Sequence, residues 1–263
     1  MRRYLMCRPT YFDVTYSINP WMDPSRPTSA EIGLTQWKGL HDTFVTLGHT
    51  VELIEPVPGL PDMVFAANGA IVLDGSVLVA RFRHRQRTDE SAAYAAWFRQ
   101  RGWARVRVAE YINEGEGDFL WTGAEFLAGG GFRSEPRAYD EVRAYFGRPV
   151  VPLTLVDPYF YHLDTALAVL GPGAIMYYPE AFAPESRAVL AERFPDALLV
   201  ERADAAVFGL NAVSDGRNVV LPRQAAGLAG RLRDRGYRPV GVDATEFIKA
   251  GGSIKCCTLE LRD

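Results

Sequence analysis

Apolar positions along the chain switch repeatedly between a helical period and short continuous runs. Over residues 28–48, Ile32, Trp37, Leu40, Phe44 and Leu47 recur at roughly helical intervals. Thr28 and Glu31 have capping-box spacing there, and Gly48 is a stop signal. The spacing predicts a helix, then a strand over 50–57 closed by Pro56 and Pro58. Apolar runs at 63–67 and 70–73, a turn at Asp74 and Gly75, and a run at 77–80 complete the unit. The same order then returns. Helices are predicted over 88–101, 136–146, 184–194 and 223–235, followed by strands at 105–108, 150–156, 198–200 and 239–242. Polar turns and paired runs come next, at 119–127, at 166–170 with 175–178, and at 207–213 with 219–221.

Helix, strand, polar turn and hairpin thus recur five times, in the range of repeat architectures. The fifth copy, ending in 251–261, lacks its last strand, while the strand at 3–8 has no helix before it. The economical reading pairs the two ends, so that the first strand completes the fifth copy and closes a ring. Pairing would also hold the C-terminal residues against fraying. An open α/β sheet is the alternative. The hairpin groups argue against it, because parallel doubly wound sheets are not built from tight-turn pairs. No linker or composition break divides the chain, so residues 1–263 read as one domain.

Composition narrows the function classes. A chain of 263 residues, 48% hydrophobic and 23% charged, suits a globular protein with a sizeable core. A net charge of −3 gives no pointer to nucleic acid or to an anionic membrane. No apolar run approaches the roughly 18–20 residues of a membrane span. The basic, briefly apolar start stops at Arg8 and Pro9, too soon for a signal peptide. Three cysteines, two of them adjacent, argue against a disulfide framework and for a reducing, cytoplasmic compartment. Neither CxxC nor HExxH occurs, so no structural zinc site is expected.

Around a common axis, equivalent turns should converge. Their polar residues are Asn68, Glu114 with Asp118, His162 with Asp164, Asn211, and Cys256, one group from each unit. A thiol, an imidazole and carboxylates are the parts of a cysteine-nucleophile site. Taken singly, each residue has a plainer reading. Cys256 and Cys257 could be packing, His162 a hydrogen-bonded core histidine, Glu114 to Asp118 a solvated turn and Asn68-Gly69 a turn signal. Their joint occurrence at equivalent places favours chemistry.

The five-unit pattern, with Glu114-Gly115-Glu116-Gly117-Asp118, His162-Leu163-Asp164 and a terminal Gly251-Gly252 before Cys256-Cys257-Thr258, resembles the guanidine-modifying (pentein) superfamily over nearly the whole chain. The resemblance implies a five-bladed α/β propeller of ββαβ repeats, with Cys256 as nucleophile, identified by Thr258, and Cys257 as a spectator. It implies His162 as general acid and base, Glu114 as its partner and Asp164 as the guanidinium-binding carboxylate. Arg87 and Arg133 are similar to the arginines that grip the substrate α-carboxylate, and Asp62 should lie near the substrate. Where dimethylargininases carry Glu-Asp, this chain has Ala67-Asn68. With Asn19 in the run 16–22, Asn68 resembles the arginine dihydrolase branch, whose two asparagines contact the substrate. The implied activity is hydrolysis at the guanidinium carbon of arginine to ornithine, ammonia and carbon dioxide, through a covalent thiouronium. Dimethylarginine dimethylaminohydrolase and arginine deiminase activities are the alternatives, and a non-catalytic binding module of the same fold is a remoter one. The implied partner is a small guanidino compound, with neither metal nor cofactor. Self-association stays open. Residues 13–27 are the expected loop over the site.

Overall fold

A computed structural model describes all 263 residues. It holds five three-stranded sheets of one design, each with an antiparallel pair and a third strand added in parallel. Ala70–Leu73 and Ser76–Val79 form one such pair, with Arg105–Val108 alongside. Phe119–Trp121, Phe126–Gly130 and Val150–Thr154 form the next sheet. Leu167–Gly171, Ala174–Tyr177 and Leu198–Leu199 follow, then Val213–Ser214, Asn218–Pro222 and Arg238–Val242. A parallel neighbour needs a crossover. Helices Ala30–Thr46, Glu90–Gln100, Arg137–Phe146, Pro184–Arg193 and Ala226–Asp234 supply them.

The remaining sheet joins the chain ends. Arg3–Cys7 pairs antiparallel with Leu259–Glu260 and parallel with Thr50–Ile54. Tyr4 lies opposite Glu260 and Leu5 opposite Leu259. Arg2 forms an ion pair with Glu260 at 3.0 Å, and Leu261 N–H donates to Arg3 O at 2.8 Å. The C-terminus is therefore tied down. The helices bury one face each. Trp37, Leu40 and Phe44 do so for Ala30–Thr46, and truncating Phe44 to Ala should cost about 3–5 kcal/mol. No helix is long and apolar enough to cross a membrane.

Four local expectations need correction. Ser29, not Thr28, caps the first helix, accepting from Ile32 N–H at 3.3 Å. Thr28 instead donates to Asp13 at 2.7 Å. The run at 63–67 is not a strand, because the chain makes two 3-10 turns, Pro61–Val64 and Ala66–Gly69. Much of 207–213 is likewise a turn, and only Leu259–Glu260 of the last stretch pairs. These segments are buried on every side, so their apolar runs carry no alternation to separate strand from turn.

The polar turns are linked in succession. Asn68 Nδ2 donates to Glu114 O at 3.2 Å. Leu163 N–H donates to Asp118 Oδ1 at 3.2 Å, and Asn211 Nδ2 donates to Asp164 O at 3.1 Å. Cys256 N–H donates to Asn211 Oδ1 at 3.0 Å, and Ala67 N–H donates to Cys256 O at 3.0 Å. The last turn thereby reaches the first.

Candidate active site

Glycines let these turns approach. Gly115 holds φ +60°, and a Cβ there would lie 2.6 Å from Ala67 O. At Gly117 a side chain would overlap Asn68 Nδ2 and come 3.5 Å from His162 Cγ. The spacing Glu-Gly-x-Gly-Asp therefore has a steric cause: backbone must sit where other residues would put side chains.

Cys256, His162 and Glu114 are 2%, 1% and 0% exposed. His162 Nε2–H donates to Glu114 Oε2 at 2.6 Å. Arg133 Nη1 donates to the same oxygen at 2.8 Å, and Arg83 N–H donates to Oε1 at 3.2 Å. Burial works against charge on Glu114, but Arg133 and then His162 outweigh it and hold the carboxyl well below its usual range. The His162 backbone is anchored separately. Asp118 accepts from Leu163 N–H, and from Ser134 Oγ–H at 2.6 Å.

Cys256 Sγ does not hydrogen-bond His162. It donates to Asp164 Oδ2 at 3.4 Å and accepts from Asn211 Nδ2 at 3.1 Å. Burial first, then Asp164, pushes the thiol well above its ordinary range. No hydrogen bond from His162 therefore primes the thiol. Asp164 is itself pushed up to about 7 by burial, against Lys255. Its Oδ1 is buried without a partner.

Asp62 has a similar open oxygen. Its Oδ2 accepts from Tyr16 O–H at 2.7 Å, while Oδ1 is buried and unpartnered. Arg87 donates twice to Glu90 at 2.8 Å, to Asn68 Oδ1 at 2.9 Å and to Asp62 O at 3.2 Å. Four of its N–H groups are thereby used. Arg133 uses two, on Glu114 and on Ile18 O at 3.0 Å, and its guanidinium lies 4.6 Å from the Tyr161 ring centre. Asn19 donates to Ala250 O at 3.1 Å and to Tyr161 Oη at 3.3 Å, and accepts from Trp21 N–H at 2.9 Å. Residues 13–27 thus touch the site through Tyr16, Ile18 and Asn19. The sequence-predicted residues fall into three groups: Cys256 with Asp164, His162 with Glu114 and Arg133, and Arg87 with Asn68 and Asp62, the last tied to the second by Asn68 and Glu114. Sequence reasoning assigned no role to Asn211, although its place in the fourth turn singled it out. Ser134 and Tyr161 gave no signal at all.

No set of three or more His, Cys, Asp or Glu side chains is gathered to hold a metal ion. A cavity of about 290 Å³ opens elsewhere, between Trp121, Leu167, Val213, Lys255, Glu260 and Arg262. Neither Cys256 nor His162 lines it.

A buried thiol and imidazole, with two carboxylates each offering an open oxygen, lie on five small sheets, and the relatives of the chain are guanidino hydrolases of the pentein type. No protein-family model matches the chain. It is 54% identical over 260 residues to N(G),N(G)-dimethylarginine dimethylaminohydrolase of Mycobacterium tuberculosis, covering 99% of this chain and 86% of that protein. The chain belongs to that family, hydrolases of carbon–nitrogen bonds in linear amidines. It is also 38% identical over 267 residues to the bifunctional arginine dihydrolase/ornithine cyclodeaminase ArgZ of Synechocystis, covering 99% of this chain and 38% of that longer protein. The crystal structure of the N-terminal domain of ArgZ, a cysteine-to-serine mutant bound to substrate, superposes with a TM-score of 0.95 at 37% identity, covering 100% of this chain and 99% of that one.

Proposed function

We propose that this protein is an arginine dihydrolase that works in the cytoplasm, with its five sheets set as blades of a ring around the site. The circuit of hydrogen bonds from Asn68 through Glu114, Asp118, Asp164 and Asn211 to Cys256 and back to Ala67 supports the ring. Arginine enters as a cation, and its guanidinium supplies the donors that Asp164 Oδ1 and Asp62 Oδ1 lack. Its charge offsets what the thiol acquires as its proton passes to His162. The Cys256 thiolate attacks the guanidinium carbon, and the His162 imidazolium protonates the departing amino group, which leaves as ammonia. A C–S bond forms and a C–N bond breaks, leaving a cationic thiouronium. Neutral His162 then takes a proton from water, the resulting hydroxide attacks the same carbon, and the thiolate leaves. Glu114, pinned by Arg133, holds His162 in orientation. Arg133, with three N–H groups to spare, suits the substrate α-carboxylate better than Arg87, with one. Residues 13–27, which touch the site through Tyr16, Ile18 and Asn19, serve as its lid.

The observation that carries a second hydrolytic step is the orientation of Asn68. Arg87 holds its Oδ1, and one Nδ2–H goes to Glu114 O, so one N–H donor is left. A urea oxygen is an acceptor, and a guanidinium has none. Asn68 can therefore hold a citrulline-like intermediate for a second attack, which a carboxylate would repel. Incubation with arginine and mass analysis of the products tests this. Ornithine should accumulate, and citrulline as the sole product at long times would sink the reading. The dimethylargininase of Mycobacterium tuberculosis, at 54% identity, favours a second reading. Turnover of dimethylarginine with none of arginine would establish it.

A further inference from the structure

Asn211 has no part in the mechanism above, yet it brackets Cys256 from two sides. Its Oδ1 accepts Cys256 N–H at 3.0 Å, and its Nδ2 donates to Cys256 Sγ at 3.1 Å. Nδ2 also donates to Asp164 O at 3.1 Å. The side chain is fully buried, and both donors are spent on the sulfur or on the residue that bonds it. The orientation is fixed by these partners: a flipped amide would set an oxygen against the sulfur and lose all three bonds.

The chain adopts an unfavourable backbone to present this residue. Phe208, three positions earlier, is buried and holds φ +61°, a left-handed conformation that is strained for a bulky side chain. Asn211 N–H donates to Phe208 O at 2.9 Å, and Gly209 N–H donates to Asp204 O at 2.9 Å. A Cβ at Gly209 would lie 2.7 Å from Asp204 O. The Phe208 ring packs 4.7 Å from Trp21, on the segment that covers the site. Strain that is held in place from both sides, directly before a residue aimed at a sulfur, points to a functional demand on that residue.

We propose that Asn211 is a further catalytic residue: its Nδ2–H stabilises the Cys256 thiolate as the proton passes to His162, while its Oδ1 aims the sulfur through the Cys256 amide. This rests on Cys256 being the nucleophile. A donor facing sulfur gains strength when the sulfur becomes an anion. Burial and Asp164 both oppose that anion; a backbone hydrogen bond from Ser253 and then the side chain of Asn211 offset them.

The test compares Asn211→Ala and Asn211→Asp with Cys256→Ser. Two quantities are read: kcat and KM with arginine or dimethylarginine, and the pH profile of Cys256 alkylation by iodoacetamide, located by peptide mass analysis. In Asn211→Ala, kcat should fall roughly ten- to a hundred-fold, the range for a hydrogen bond to a charged group, with KM changed much less. The alkylation midpoint should move to higher pH. Asn211→Asp keeps the acceptor for Cys256 N–H and replaces the donor, so it should move the midpoint at least as far. If Asn211→Ala does not fold, the isosteric Asp variant decides by the same readouts. Folded variants that alkylate along the unsubstituted profile, or that change KM alone, overturn the proposal. Full turnover in Cys256→Ser would instead remove the reading beneath it. Loss of turnover in Cys256→Ser beside unchanged Asn211 variants would overturn this proposal only.

Discussion

Replacing Asp164 by Asn should abolish turnover and stabilise the fold in the same step. The magnitude follows from the carboxyl's surroundings. Oδ1 has no partner, and Oδ2 receives only the Cys256 thiol at 3.4 Å. Burial pushes the group from the ordinary 3.8 to about 7. At 1.36 kcal/mol for each tenfold change, that gap corresponds to about 4 kcal/mol. The native state holds the proton more tightly than the unfolded chain does. Between about pH 4 and pH 7 the unfolded chain releases a proton that the folded protein keeps, so stability falls as pH rises and stays reduced above that window. Asn cannot ionise and escapes this loss.

Urea denaturation of both proteins across that range measures the effect. The two should be nearly equal at about pH 4, and Asp164→Asn should be more stable by about 4 kcal/mol at about pH 8. A ligand arm checks the cause. In a Cys256→Ser background, arginine should raise the midpoint at the higher pH, and adding Asp164→Asn should remove that gain. Stability curves that run parallel from acid to alkaline pH would refute a strained, functional carboxyl at Asp164.

The adjacent cysteines should separate cleanly: Cys256→Ser loses turnover and Cys257→Ser keeps most of it, read by product mass, and the opposite result reverses the assignment of the nucleophile. Gly117→Ala should lower both kcat and the melting temperature, with an overpacking cost of about 1–3 kcal/mol, because its methyl group would displace the Asn68 amide; an unchanged kcat would mean that Asn68 can move without consequence.

The repeat was legible because helix and hairpin periods alternate cleanly. All five long helices lie within a few residues of where the spacing put them, and the two chain ends pair in one sheet as expected. What could not be read were the stretches that enter the centre. Met63 to Ala67 and Leu210 to Val213 are buried on all sides, so hydrophobicity carries no period there. The site was legible as a set of residue types at equivalent turns, not as a set of bonds. Nothing in the sequence says that Arg133 pairs with Glu114, that Asp164 rather than His162 meets the sulfur, or that Asn211 grips Cys256 twice. Each of these contacts joins residues 19 to 92 positions apart, and their geometry is decided by how the turns stack.

In this buried site the cost of burying charge selects what can enter. Glu114 keeps its charge because Arg133 and His162 cover it. At Asp62, Asp164 and Cys256 burial outweighs what opposes it, Arg87 and Tyr16 at Asp62, Lys255 at Asp164, and the Ser253 backbone and Asn211 at Cys256, and it pushes all three toward their protonated forms. The two acids each retain a buried oxygen with no protein donor, which is costly. A guanidinium meets both needs, bringing donors for the open oxygens and a charge against which thiol and acids can ionise. A neutral urea brings no charge and offers an oxygen instead. On the proposed reading, the free N–H of Asn68 is there for that second species, beside carboxyls that are easily protonated and so can donate as well. A carboxylate at position 68 would add a third unpaired acceptor to a site that already has two. On that reading the amide at that position and the raised Asp164 serve one requirement, a site that holds first a cation and then the neutral compound made from it.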